Sequence, residues 1–235
     1  MCYVIITCRT LGWTLLSITI TLLIVAAVVS PNWLIGMPIQ IKLLSLANET
    51  VGDESMSDTF RPTVGIFNRC RKLQLNILSQ KTRDNCATYV TSYDGPNDDF
   101  PHAWKASLVL FALAGLLLLV TMLFSVISLC VRSLCGKSIF TMSGLIQSIA
   151  GLLCVIGLVV YPVGWGTKRV RDLCGEYADP FIIGRCSLGW SFYLCIAGTV
   201  LIFVCSILSI QAEHSTSSRK VEEEVLEGKN LICVL

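Results

Sequence analysis

Ser30-Pro31-Asn32-Trp33-Leu34-Ile35-Gly36 follows the first long apolar run of this chain. It opens a polar loop that closes only at Phe100-Pro101-His102-Ala103-Trp104-Lys105. Between them stand Arg61-Pro62-Thr63-Val64-Gly65-Ile66-Phe67-Asn68-Arg69-Cys70 and then Cys86. Most charged side chains outside the C-terminal tail lie in this loop or in a smaller one, Pro162 to Ser187. The apolar runs around them read as an anchor that holds both loops on one side of a membrane.

Composition agrees. Of 235 residues, 54% are hydrophobic and only 14% charged, where a soluble domain carries about 25% charge. Mean hydropathy is +0.70. Four segments read as spans: Leu11 to Val29, Leu108 to Val131, Ile139 to Tyr161 and Leu188 to Ile210. About 20 apolar residues, rising 1.5 Å each, cross a hydrocarbon core of about 30 Å. Helices are required, because backbone amides in lipid must bond within their own segment. The first span is longer than a signal-peptide core, and Pro31 follows the small-residue site at Ser30, so it reads as uncleaved. No basic run with interleaved aromatics points to nucleic acid.

The resulting order is a lead at 1–10, a span at 11–29, a large loop at 30–107 and a second span at 108–131. A turn at 132–138, a span at 139–161, a loop at 162–187, a span at 188–210 and a tail at 211–235 complete it. The Lys/Arg distribution does not settle orientation, because Lys168, Arg169, Arg171 and Arg185 crowd the short loop. Asn48-Glu49-Thr50 is a glycosylation sequon, meaningful only outside the cytosol. Of 12 cysteines, four fall in the loops, as Cys70 with Cys86 and Cys174 with Cys186, which fits an oxidising compartment. Four cysteines nonetheless permit three pairings. Both signals put the loops outside and both termini in the cytosol, at the plasma membrane.

Within the large loop, Ile39 to Leu43 and Thr63 to Arg71 alternate in the period of a half-buried strand. Cys86 to Tyr93 is rich in β-prone residues, and Asn48 to Thr59 is a polar excursion. A small antiparallel sheet closed by Cys70–Cys86 is expected, and a sheet with so little core needs such a crosslink. Trp104 and the run Tyr161-Pro162-Val163-Gly164-Trp165-Gly166 read as interfacial aromatics. Membrane anchoring is favoured as the whole role of Trp165-Gly166 and Gly189-Trp190. In the third span, Gly144, Ser148 and Gly151 form a small-residue stripe for close helix approach, and Gln147 is placed to bond to another helix.

Catalytic chemistry has little support. The two histidines, His102 and His214, fall on opposite sides of the membrane, so neither assists the other. The spans contain no internal charge of the kind that marks ion or proton paths. No cofactor or metal is expected. In the tail, Glu227-Gly228-Lys229-Asn230-Leu231-Ile232 fits an acidic dileucine sorting pattern. Glu227 would meet a basic patch on a clathrin adaptor, and Leu231 and Ile232 a pocket, implying endosomal cycling. The ending Ile232-Cys233-Val234-Leu235 fits a PDZ groove instead.

Trp33, Gly65-Ile66-Phe67, Cys70 and Cys86 resemble the signature of the claudin-like tetraspans, with Phe67 in place of the usual Trp. The closer resemblance is to the lipoma HMGIC fusion partner-like family. It rests on Ser30 to Gly36, Arg61 to Phe67, Tyr161 to Gly166 and Cys186-Ser187-Leu188-Gly189-Trp190, and it covers nearly the whole chain. It implies a left-handed four-helix bundle topped by an extracellular antiparallel sheet. It also implies a non-enzymatic role as auxiliary subunit or chaperone of a membrane receptor, channel or adhesion protein. The alternative is a claudin-like protein that self-associates at cell junctions.

Overall fold

The computed structural model describes residues 4–37, 39–40, 59–74, 82–88, 100–129, 133–134, 137–216 and 231–234. Four long helices are apolar enough to cross a membrane: α1 (Cys8–Val29), α2 (His102–Ile127), α3 (Ile139–Val160) and, after a short α4 (Lys168–Cys174), α5 (Trp190–Thr216). They form a ring in which α1 packs on α2, α2 on α3, α3 on α5 and α5 on α1. Unlike a soluble bundle, this one exposes large apolar side chains all round and buries small polar ones beside an apolar core. Leu15, Leu22, Leu116, Leu152 and Val200 are exposed, whereas Thr14, Ser17, Thr21, Thr121, Ser143 and Gln147 are buried. In lipid there is no hydrophobic drive between helices, so close packing and interhelical hydrogen bonds hold them together.

The small residues behave accordingly. A Cβ on Gly144 would collide with Ser209, and one on Gly151 would sit 2.9 Å from the Phe203 ring. Ser148 and Ser206 bond across the same α3–α5 seam at 2.7 Å. Gln147 donates its Nε2–H to Ser17 Oγ at 3.0 Å, linking α3 to α1. Its Oε1 is buried with no partner among the described residues.

Helix ends follow local chemistry. Thr7 caps α1 in a reciprocal box with Thr10, an arrangement that satisfies two otherwise orphaned N–H groups. Pro31 ends that helix by forcing Ser30 into an extended conformation. Pro101 precedes α2, and its carbonyl accepts from the amides of Trp104 and Lys105 at 3.0 Å. Pro162 follows α3 and tightens the chain into a 3-10 turn, Tyr161–Gly166. The α2 helix starts at His102, ahead of the span that begins at Leu108, because the Pro101 carbonyl accepts its first amide bonds, and it ends at Ile127.

Strands are short. The N-terminal β1 (Val4–Thr7) pairs in parallel with β11 (Leu231–Val234) near the chain ends. In the large loop, β2 (Leu34–Ile35), β5 (Thr63–Val64), β6 (Asn68–Gln74) and β7 (Thr82–Thr88) join β10 (Ser187–Leu188) of the second loop in one antiparallel sheet, ordered β10-β2-β5-β6-β7. Two two-stranded ladders complete the described set: β3 (Ile39–Gln40) with β4 (Thr59–Phe60), and β8 (Ser133–Leu134) with β9 (Lys137–Ser138). The alternation at Thr63 to Arg71 is therefore two strands, interrupted by the Gly65-Ile66-Phe67 turn.

Candidate functional site

The two loops are one structure. Leu34 and Ile35 pair with Val64 and Thr63 on one side and with Leu188 and Ser187 of the second loop on the other. Gly189 sets this joint: its amide donates to the Trp33 carbonyl at 2.8 Å. Any Cβ there would fall on the Asn32 carbonyl. Gly65 plays the matching part, since a Cβ on it would lie 2.6 Å from the Ser30 carbonyl oxygen and 2.8 Å from Pro31 Cα. The Gly65 amide also donates to the Asn68 carbonyl, and Asn68 Nδ2 donates to the Val29 carbonyl at 2.9 Å.

Disulfides close both loops. Cys70 and Cys86 are directly opposite in the β6–β7 ladder and bonded. Cys174, the last residue of α4, is bonded to Cys186, which immediately precedes β10. Crosslinks over loops this short stabilise by about 3 kcal/mol in the chain-entropy model.

An aromatic cluster draws on α2, on α5 and on the segments that follow α1 and α3. Trp33 is fully buried, with ring centroids 5.6 Å from Phe111 of α2, 4.9 Å from Tyr161 beyond α3 and 5.7 Å from Phe192 of α5. Trp104 stacks on Tyr161 at 5.4 Å and donates its Nε1–H to the Tyr161 carbonyl. Trp165 meets Tyr161 edge-on. Trp104 and Trp165 are thus not interfacial anchors as expected; both rings are buried. The membrane-belt reading failed because an aromatic near a helix end serves a belt or a core equally well by sequence alone. Trp190 is half exposed and fits the anchor reading.

The remaining motif residues fall as follows. Ile66 is fully buried, and Phe67 packs against the core from a half-exposed position. Asn48 and Glu227 lie outside the described residues. Leu231 and Ile232 stand opposite Val4 and Ile5 in the β1–β11 ladder. Among the described residues no group of three or more His, Cys, Asp or Glu has the geometry of a metal site. His102 begins α2 at the sheet end and His214 lies in the last turn of α5.

The second loop carries a further signal outside the motifs above. Asp179-Pro180-Phe181-Ile182 forms a tight turn in which Phe181 takes a positive φ of 66°. Pro at the second position of a turn followed by two apolar residues marks a tip that presents them.

The model for the lipoma HMGIC fusion partner-like protein family matches residues 9–211. The human LHFPL tetraspan subfamily member 2 protein is 43% identical over the full length of both chains. Its zebrafish counterpart, member 2a, is 41% identical, also over the full length of both. The zebrafish member 3 protein is 31% identical, over 40% of this chain and 43% of its own.

Proposed function

The chain belongs to the lipoma HMGIC fusion partner-like family of tetraspan membrane proteins, and we propose that it acts as a non-enzymatic auxiliary subunit or chaperone for another integral membrane protein. The client is a receptor, channel or adhesion molecule. The observation that carries this reading is the union of both loops in one disulfide-closed sheet, tied through the buried Trp33 to aromatic rings of α2, of α5 and of the turn after α3. A rigid platform of this kind offers a preorganised surface, and preorganisation lowers the entropic cost of association. Gln147 with Ser17 and Ser148 with Ser206 join helix to helix, which suits a scaffold.

The same reading puts the protein in the plasma membrane, with the sheet and Asn48 outside and both termini in the cytosol. Glycosylation at Asn48 and cycling through endosomes by Glu227, Leu231 and Ile232 belong to it. An adaptor binds such a tail as an extended peptide, so pairing of β11 with β1 would have to open first.

Single-molecule brightness of the tagged chain, expressed without relatives, tests the proposal. Monomers that diffuse singly are expected. Growth into linear strands at cell contacts would overturn it in favour of junctional self-association.

A further inference from the structure

We propose that the Phe181-Ile182 tip of the second loop inserts into the headgroup and acyl boundary of the bilayer beside α3. Phe181 is 61% and Ile182 56% exposed, yet the turn that carries them is firmly held. The Phe181 amide donates to the Pro162 carbonyl at 3.2 Å. Pro180 packs against Gly166, where a Cβ would come within 2.6 Å of its ring. Arg171 clamps the turn from the other side, donating Nε–H to the Ala178 carbonyl and Nη2–H to Asp179 Oδ1 at 2.7 Å.

The conformation is one that a bulky residue rarely adopts. Asp179 and Ile182 exchange backbone hydrogen bonds at 3.1 and 2.8 Å, with Pro180 and Phe181 between them. A turn of this kind calls for glycine or asparagine at the position with positive φ. An aromatic in that region is an outlier, and such strain persists where the surroundings over-determine it and function uses it.

Continuity identifies the occupant. The lipid-facing stripe of α3 runs through Leu152, Ile156 and Val159 to Val163, all exposed. Val163 follows Pro162, to which the Phe181 backbone is bonded. About 20 residues cross the hydrocarbon core, so a span that begins at Ile139 leaves it near Val159. Val163 and the tip beside it then sit at headgroup depth. Lys168, exposed and just past Gly166, brings a cation to the level of the lipid phosphates.

The test is photocrosslinking of the full chain in phosphatidylcholine liposomes, with benzoylphenylalanine replacing Phe181 and, separately, Ile182. Leu152 serves as the lipid-facing reference and Glu176, exposed in the same loop, as the solvent reference. The expected result is a gain of one phospholipid mass at 181 or 182, in yield comparable with 152, and background yield at 176. Background lipid yield at both tip positions overturns the proposal, as does crosslinking there to a second copy of the chain in place of lipid. Two substituted positions keep the test decisive if one variant fails to fold.

Discussion

The indole Nε1 of Trp33 donates to the carbonyl of Ala27 at 2.7 Å. In a continuing helix that carbonyl would accept from residue 31, and residue 31 is proline, which has no N–H. The side chain two residues beyond the proline supplies the missing donor. Helix end, loop entry and aromatic cluster are therefore joined through one ring.

Replacing Trp33 separates these contributions. Trp33→Phe keeps an aromatic in the cluster but leaves the buried Ala27 carbonyl without its donor, a loss of about 1–3 kcal/mol. Trp33→Ala also opens a cavity and costs about 3–5 kcal/mol. Thermal unfolding in detergent should rank wild type above Phe and Phe above Ala. Equal melting temperatures for wild type and Phe would deny the hydrogen bond any role.

The joint between the loops depends on Gly189. Gly189→Ala places a methyl group on the Asn32 carbonyl, so β10 must leave β2. Limited proteolysis of the folded protein should then cut the 162–187 loop faster than in wild type, with the spans still protected. Unchanged cleavage would mean that the disulfide Cys174–Cys186 holds the loop without the sheet.

Gln147 distinguishes packing from charge. Gln147→Leu loses the bond to Ser17 but also removes a buried, unpartnered oxygen, so stability should change by less than about 1 kcal/mol. Gln147→Glu introduces a carboxyl group in the membrane interior and should cost about 3 kcal/mol. Folded yield after detergent extraction reads both. Comparable loss in the two variants would contradict this account.

At the chain ends, β1 covers the tail residues Leu231 to Val234. Ile5→Pro removes a strand amide without altering the Thr7 cap of α1, and should raise the rate of internalisation of the surface protein. Leu231→Ala with Ile232→Ala in the same background should abolish the increase. Internalisation that ignores Ile5→Pro would mean that the strand pair does not mask the tail.

Much of this architecture was legible in the sequence because membranes impose a simple rule: long uncharged runs must be helices. The loop strands Thr63–Val64 and Asn68–Gln74 showed in their alternation, and the small residues of α3 pointed to a close seam. What did not show was the partnership between distant pieces. Two residues, Ser187 and Leu188, carry no strand signal of their own; their role exists only because Leu34 and Ile35 offer an edge. The burial of Trp104 likewise depends on Tyr161, a partner 57 residues away in the chain. At the Phe181 tip, Pro180 signals a turn, but no local propensity favours the positive φ of Phe181.

The proposed role requires that the platform serve another protein. Crosslinked affinity capture of the tagged full chain from its native membrane, with mass spectrometric quantification, tests it most directly. The expected result is a receptor, channel or adhesion protein recovered in near-equal amount, with crosslinks that include the loop platform. Recovery of self contacts alone, mainly between loops of opposing copies, would contradict it.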